Sequence, residues 1–265
     1  MTITICVAGA TGWVGQPLCA AIANAGDMQL VGAVARTHAG RSLSEVVHDP
    51  RLDLKVSGSV AQALESPTDV LVDYAGAAAV KENVLTAIRQ GVHVVIGSSG
   101  LTEADFAEIE QAALAHRVGV IAAGNFSITA VLLARFACEA ARYLKHWEII
   151  DYASDAKIDA PSGTARELAY RLAEVAQPQL THAIGETIGP KESRGVTLNG
   201  SQVHSIRLPS FVISVEAIFG AADERLTIRH DAGSGAAPYI QGTLLAIRQA
   251  GRHVGLIRGL DRVLG

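Results

Sequence analysis

The chain of 265 residues is long enough for one large or two modest domains, and its 49% hydrophobic content with 26 glycines fits a packed α/β protein. A net charge of −4 argues against nucleic-acid binding, and no apolar run approaches the roughly 20 residues of a membrane span. The three cysteines are scattered and the N-terminus carries no cationic leader, so we expect a reduced, cytoplasmic protein without a metal site.

A strand–turn–helix pattern opens the chain. An apolar run over residues 3–8 leads directly into G-A-T-G-W-V-G at residues 9–15, and a helical stretch follows to about residue 25. Glycines at these spacings permit a tight turn and let backbone amides approach a pyrophosphate at the start of a helix. The pattern predicts a dinucleotide site whose cofactor-binding residues are Gly9, Thr11, Gly12, Trp13, Val14 and Gly15.

The end of the second predicted strand, residues 29–35, indicates which dinucleotide binds. An acidic residue there would hold the ribose 2′-hydroxyl of NADH, but the chain continues with Arg36. Arg36 suits a 2′-phosphate, and His38 and Arg41 could assist it. The sequence therefore favours NADPH, with NADH as the other cofactor to consider. The plain alternative is that Arg36 is a solvated loop residue.

Alternating strands and helices continue to residue 126. Strands are predicted at residues 69–74, 93–96 and 118–122, with helices at 79–90 and 102–116 between them. This alternation predicts a parallel, doubly wound sheet whose strand ends line a crevice. The residues expected to contact nicotinamide and ribose in that crevice are Tyr74, Ala75, Gly97, Ser98, Ser99, Asn125 and Phe126. Ordinary turn chemistry is the alternative for each of them.

The pattern changes after residue 126, where an apolar helix is predicted at 128–144 and a strand at 147–152. A polar loop follows, K-I-D-A-P-S-G-T-A at residues 157–165, and it opens a further helix. Ser162 is a good helix N-cap, and Ser162, Gly163 and Thr164 would form a cradle for an anion. Lys157 stands before the cradle as a point charge. The plain alternative is a capped helix after a polar loop.

Three further strands are predicted at residues 203–208, 211–219 and 225–230, and we expect them to pair antiparallel because no helix separates them. Residues 185–201 are predicted to form a mobile loop, and 236–252 a final helix. The predicted fold class is α/β, a Rossmann-type doubly wound parallel sheet with an inserted α+β mixed-sheet domain. The dinucleotide-binding domain would comprise residues 1–126 and 236–265, and the substrate-binding and oligomerisation domain residues 127–235.

The glycine turn and the K-I-D-A-P-S-G-T-A loop together resemble the dihydrodipicolinate reductases, NAD(P)H-dependent oxidoreductases of the diaminopimelate route of lysine biosynthesis. The resemblance covers essentially the whole chain, because V-I-G-S-S-G, A-A-G-N-F-S and E-R-L-T-I-R-H also occur in the expected order. It implies hydride transfer to a C=N or C=C carbon of a tetrahydrodipicolinate-like cyclic imine. It also implies a homotetramer or dimer in which Lys157, Ser162, Gly163 and Thr164 bind the substrate.

Three departures from the family pattern bear on the chemistry. Ala153 and Ser154 stand where the family carries a pair of histidines, interpreted as the proton donor and its neighbour. A histidine expected within residues 211–219 and a basic residue expected after the last strand are also absent from the sequence. The candidates left for proton transfer are Lys157, Tyr152, Asp155 or a water molecule.

Other reductase classes fit less well. No tyrosine has a lysine four residues later, as a short-chain dehydrogenase requires, and Cys138 lies in an apolar helical run, unlike the nucleophile of a semialdehyde dehydrogenase. His182, His204 and His230 are too dispersed to suggest a metal site. Two hypotheses remain beside the family activity, a paralogue that reduces a different imine, enone or carbonyl compound and a non-catalytic NADP-binding sensor. The loop at residues 157–165, which we call the anion loop, argues against the sensor, because a sensor would not need it.

Overall fold

The structure is a computed structural model and describes residues 2–265. Its strands, in chain order, are β1 (Ile3–Ala8), β2 (Met28–Val34), β3 (Val56–Ser57), β4 (Val70–Asp73), β5 (His93–Ile96), β6 (Gly119–Ala122), β7 (His146–Ala153), β8 (Val196–Leu198), β9 (Ser201–Arg207), β10 (Ile213–Ala221), β11 (Glu224–Ala232) and β12 (Gly255–Arg258). Its α-helices are α1 (Gly15–Asn24), α2 (Leu43–Val47), α3 (Val60–Ala63), α4 (Val80–Arg89), α5 (Glu103–His116), α6 (Ile128–Ala141), α7 (Gly163–Val175) and α8 (Ala237–Ala250).

The chain divides into two compact units, residues 1–128 with 236–265 and residues 129–235. The first unit is built on a seven-stranded sheet in the order β12-β6-β5-β4-β1-β2-β3. Every pairing in it is parallel. Strands β4 and β6 are buried along their whole length, because helices cover a parallel sheet on both faces.

The strand order of this sheet places the nucleotide-binding features. The run β3-β2-β1-β4-β5-β6 is the Rossmann order, in which the direction of winding reverses between β1 and β4. Ligands bind outside the carboxyl ends of the strands at that reversal. The glycine turn follows β1 and Tyr74 follows β4, so both lie at the reversal. The predicted α/β fold class is therefore confirmed.

The second unit is a five-stranded mixed sheet in the order β11-β10-β7-β9-β8. Alternate residues of the central strand β7 are buried, among them Trp147, Ile149 and Asp151, and they face a core to which α6 and α7 contribute. The other face of β7 carries Glu148, Ile150 and Tyr152, which are only half-buried. We call this second surface the open face.

The pairing predicted for the last strands is half wrong. Strands β10 and β11 do pair antiparallel, but β9 pairs parallel with β7, which lies between β9 and β10. The central position goes to β7 because its apolar side chains are buried against the core while both of its edges are hydrogen-bonded. Sequence proximity alone does not decide strand order.

Two segments are more ordered than the sequence predicted. Residues 185–201, expected to be a mobile loop, contain short 3₁₀ helices and strand β8, which pairs with β9 through a turn at Asn199-Gly200. Both turn residues have positive φ, which is the hairpin preference of Asn-Gly and the signal that was overlooked. Strand β12 was also missed, and it extends the parallel sheet beside β6.

Candidate functional site

The glycine turn after β1 requires glycine for steric reasons. Gly9 has φ +83°, and a Cβ there would lie 2.4 Å from the carbonyl oxygen of Tyr74. A Cβ at Gly15 would lie 2.0 Å from the carbonyl oxygen of Gly9. The backbone at Gly9 therefore contacts both the loop after β4 and the start of α1, which is the close packing expected of a dinucleotide turn.

The other residues of the turn are more accessible. The amide of Gly12 donates to the carbonyl oxygen of Gly9 at 2.9 Å and closes the turn. Thr11 and Val14 are half-buried, and Trp13 is exposed with its ring edge against Tyr239 at a centroid distance of 5.7 Å. The predicted cofactor residues of this turn are thus grouped around the first turn of α1.

A pocket of about 290 Å³ opens beside the turn and brings several predicted residues together. Gly9, Arg36 and Ala75 line it, together with Ser59 and Asn83. Arg36 lines the pocket because it lies two residues after the end of β2, at the start of a 3₁₀ turn over Arg36–His38. The placement of Arg36 next to the glycine turn is what binding of an adenosine 2′-phosphate needs.

A buried carboxylate that the sequence analysis missed holds the loops after β4 and β5. Asp73 is fully buried, and it accepts from the Ser98 hydroxyl at 2.5 Å, the Asn83 amide at 2.8 Å and the Ala75 backbone amide at 3.1 Å. Burial raises the pKa of Asp73, against the opposite effect of these hydrogen bonds. An acidic residue at the end of a buried apolar strand is the sequence signal that could have identified it.

Three of the predicted nicotinamide-side residues, Tyr74, Gly97 and Phe126, pack together. A Cβ at Gly97 would lie 2.1 Å from the Tyr74 ring, whose hydroxyl hydrogen-bonds Thr243 Oγ1 at 2.7 Å. The buried Phe126 meets the same ring edge-on at 6.2 Å. Tyr74 and Phe126 therefore support the loops from within the unit.

The remaining nicotinamide-side residues lie in loops at the strand ends. Ser98 donates to Asp73 and also accepts from the Gly76 amide at 3.0 Å, so it ties the loops after β4 and β5 together. Asn125 accepts the amide of Ser127 at 2.8 Å and fixes the turn after β6. Ser99 is exposed at the end of the loop after β5.

The second unit holds the predicted anion loop at the start of α7. Ser162 is buried and caps the helix, accepting from the Ala165 amide at 3.3 Å. Gly163 is exposed and Thr164 half-buried. Amides in the first turn of a helix have no intrahelical acceptor, so those of Gly163 and Thr164 are suited to an anion.

Lys157 lies four residues after Ala153, which is fully buried and ends β7, and three residues after Ser154. Its ammonium nitrogen is 2.7 Å from Asp159 Oδ1, with about a third of each side chain exposed. This hydrogen bond is the main reason that the pKa of Asp159 is lowered. Lys157 is accessible, and an incoming carboxylate would compete with Asp159 for it.

The two other candidate proton donors are placed differently. Tyr152 lies on the open face, where its hydroxyl donates to Glu216 Oε2 at 3.0 Å and the Arg229 guanidinium covers its ring. Burial and this hydrogen bond raise its pKa. Because Tyr152 faces away from the side of β7 that holds the anion loop, the structure does not bring the two together. Asp155 is exposed and accepts the Ser154 hydroxyl at 3.1 Å.

A second missed carboxylate, Asp151, lies behind the anion loop. It is fully buried on β7, and its Oδ2 accepts from the Ser162 amide at 2.8 Å. The same oxygen accepts from the Arg207 guanidinium at 2.7 Å and from the Ser205 hydroxyl at 3.3 Å. An acid and an arginine on neighbouring strands could not be paired from sequence, because the strand order was not known.

The described residues offer neither a metal site nor a membrane-spanning helix. Residues 2–265 contain no group of three or more histidine, cysteine or acidic side chains arranged to hold a metal ion. None of the helices found there is long and apolar enough to cross a membrane.

Comparison with known proteins gives one consistent result. Residues 3–126 match the family model described as dihydrodipicolinate reductase, N-terminus, and residues 129–264 match the corresponding C-terminus model. The 4-hydroxy-tetrahydrodipicolinate reductase of Desulfitobacterium hafniense (strain Y51) is 39% identical over 264 residues, 99% of this chain and 98% of the relative. That of Moorella thermoacetica is 38% identical with the same coverage of both chains.

A solved structure agrees with these sequence matches. Dihydrodipicolinate reductase from Paenisporosarcina sp. TG-14, with dipicolinate bound, superimposes with a TM-score of 0.89 at 30% identity and covers 100% of both chains. The resemblance drawn from the two motifs is thereby confirmed, and with it the assignment to NAD(P)H-dependent reductases.

Proposed function

This chain belongs to the dihydrodipicolinate reductase family, and from that premise we propose that it is an NADPH-dependent reductase of a tetrahydrodipicolinate-like, carboxylated cyclic imine. The observation that carries the proposal is the loop before α7. It combines an accessible lysine, Lys157, with a capped helix start at Ser162, Gly163 and Thr164. A carboxylate is the ligand that this combination of a point charge and free helix amides recognises.

The residues of the first unit fit a dinucleotide phosphate. The steric demand at Gly9 and Gly15 brings the backbone close enough for a pyrophosphate to rest on the start of α1. In the proposal the backbone amides of Thr11, Trp13 and Val14 bind the pyrophosphate. Arg36, in the pocket beside the turn, binds the 2′-phosphate and makes NADPH the preferred cofactor over NADH. When bound, the cofactor supplies the hydride, and the chain supplies orientation and charge.

The second unit binds the substrate in this proposal. The amides of Gly163 and Thr164 and the hydroxyls of Ser162 and Thr164 hold one carboxylate, and Lys157 stabilises negative charge that develops on the ring. Lys157 is also the proposed proton donor. Ala153 and Ser154 replace the family histidines, and Tyr152 lies on the opposite face of β7. A positioned acid contributes about 100- to 10,000-fold in rate, so the absence of the histidines predicts slower turnover than in relatives that carry them.

The open face of the second unit supports a homo-oligomer, a tetramer or dimer. It presents apolar Ile150 and Ile218 beside a polar cluster of Tyr152, Glu216 and Arg229, and each is incompletely buried in the single chain. A sheet with one uncovered face buries that face most readily against a second copy. Replacing Ile218 with Arg should reduce the mass measured by light scattering, and an unchanged mass would contradict this use of the face. The cytoplasmic location stays a prediction.

A second candidate function rests on one observation, the absence of histidines at positions 153 and 154. The chain would then reduce a different imine, enone or carbonyl compound that needs little acid catalysis.

Steady-state NADPH oxidation with tetrahydrodipicolinate and a panel of cyclic imines and enones separates these functions. Turnover of tetrahydrodipicolinate above that of the panel supports the first function, and preference for a panel member supports the second. Tight NADPH binding without turnover of any compound would overturn both in favour of a sensor.

A further inference from the structure

Arg207, the last residue of β9, contacts the loop before α7 at Asp159 and the buried carboxylate of Asp151 on β7. One terminal nitrogen, Nη2, donates both to Asp151 Oδ2 at 2.7 Å and to the carbonyl oxygen of Asp159 at 2.8 Å. The other, Nη1, donates to the carbonyl oxygen of Ile206 at 2.9 Å, which fixes the plane of the guanidinium. The side chain is 15% exposed, so these bonds are made largely out of water.

Asp151 completes the connection on the other side of the loop. The oxygen that accepts from Arg207 also accepts from the Ser162 amide at 2.8 Å. The loop is therefore held at the Asp159 carbonyl, two residues after Lys157, and at the amide of the N-cap of α7. Between these two points lie Ala160 and Pro161.

We propose that Arg207 and Asp151 are positioning residues for substrate binding. By holding Asp159 and Ser162 at once, they fix where Lys157 stands relative to the amides of Gly163 and Thr164. Neither residue touches the substrate in this proposal. The inference rests on the proposed function, in which those amides and Lys157 hold a substrate carboxylate.

The chemistry of the contact requires an arginine. A guanidinium presents its donors in a rigid fork and can bind a carboxylate, a loop carbonyl and a strand carbonyl together. A lysine at position 207 would still neutralise the buried Asp151 carboxylate, but its single nitrogen on a flexible stem would not hold the same three acceptors. Arg207→Lys therefore separates positioning from neutralisation of charge.

The competing explanation is a purely structural ion pair that keeps a buried carboxylate compensated. In that case Arg207→Lys would alter stability at most and leave substrate binding as it is. A positioning role predicts instead that substrate parameters change while NADPH binding does not, because Arg207, Asp151 and the loop before α7 all belong to the second unit.

The test compares Arg207→Lys and Arg207→Ala with a matched control, Arg248→Lys. Arg248 likewise pairs with a carboxylate, that of Asp27, and does so through two hydrogen bonds at 2.7 and 3.0 Å. We expect kcat/KM for tetrahydrodipicolinate to fall up to about 100-fold in Arg207→Lys, mainly through KM, since misplacement by about 1 Å can cost that much. The dissociation constant for NADPH should stay unchanged, and so should all parameters of Arg248→Lys. Added guanidinium should lower the KM of Arg207→Ala.

Two measurements without turnover keep the inference separable from the proposed function. Calorimetric titration of the NADP-loaded chain with dipicolinate reports binding to the loop, and hydrogen exchange reports protection of the Ser162 amide. Arg207→Lys should weaken dipicolinate binding and speed hydrogen exchange at the Ser162 amide. Unchanged KM, dipicolinate affinity and Ser162 exchange in Arg207→Lys would overturn the positioning role. Lack of turnover in the unaltered chain, with Ser162 exchange accelerated by Arg207→Lys, would count against the proposed function alone.

Discussion

Each unit of the molecule holds its candidate binding loops with one buried carboxylate, but the two carboxylates are compensated differently. Among the residues that the structure describes, Asp73 in the first unit accepts only from neutral donors, the side chains of Ser98 and Asn83 and the Ala75 amide, and burial raises its pKa. Asp151 in the second unit accepts from the guanidinium of Arg207. A carboxylate held by neutral donors can lose its charge without leaving another charge behind, whereas loss of charge at Asp151 leaves Arg207 without its counterion.

The largest effect that tests this comparison is expected from Asp151→Asn. Removing one partner of a buried ion pair leaves the other charge uncompensated, so the free energy of unfolding should fall by about 3 kcal/mol. Urea denaturation of the variant, beside the matched Asp73→Asn, measures the difference. Equal losses in the two variants would mean that the compensation of charge does not distinguish the two carboxylates.

The next effect concerns the loop that Asp151 holds. Lys157→Ala should lower turnover about 100-fold or more, as loss of one group that stabilises developing charge does. NADPH affinity, measured by fluorescence titration, should be unchanged because Lys157 belongs to the second unit. Lys145→Ala is the control, since that lysine is exposed in the same unit and its side chain donates to the carbonyl oxygen of Arg142. Unchanged turnover in Lys157→Ala would remove its assigned role.

A smaller effect is expected in the first unit, to which Asp73 and Arg36 belong. Arg36→Asp should lower kcat/KM with NADPH about 10- to 100-fold, the equivalent of one charge-assisted hydrogen bond, and affect NADH much less. The kcat/KM of Arg36→Ala with NADPH should fall between the values for Arg36→Asp and for the unaltered chain, because alanine removes the attraction to the 2′-phosphate without adding repulsion. Dipicolinate affinity should not change in either. An unaltered ratio of NADPH to NADH efficiency would show that Arg36 does not meet the 2′-phosphate.

The smallest effect is a pH dependence of stability at Asp73. Its pKa is raised above the ordinary 3.8, so within the interval between the two values the folded chain binds the proton more tightly than the unfolded chain. The stability contributed by Asp73 is therefore fully present below that interval and declines as the pH rises through it. Unfolding free energies measured across the acid range should show this decline in the unaltered chain relative to Asp73→Asn. Parallel curves for the two proteins would contradict it.

The two sites differ in how far the sequence could predict them. The glycine turn is encoded locally, because the restrictions at Gly9 and Gly15 arise from backbone a few residues away and from the adjacent strand. The loop before α7 was located from its motif, but Asp151 and Arg207 were not connected with it. They lie on strands β7 and β9, whose parallel pairing contradicts the sequential antiparallel order expected. The Asn199-Gly200 hairpin is encoded locally too, because Asn-Gly readily adopts the two positive φ angles that its turn requires.

The family, the α/β fold class and the positions of the glycine turn and of the loop before α7 follow from the sequence, because the motifs and the alternation of strands and helices are patterns of residues adjacent in the chain. Only the tertiary structure decided which side chains stand behind those loops. Tyr152 and Asp151 are neighbours in sequence, yet strand alternation places one on the open face and the other behind the cradle. Arg207 reaches Asp159 in the loop before α7 from another strand, 50 residues after Lys157, because sheet order is set by burial of the whole face and not by separation along the chain.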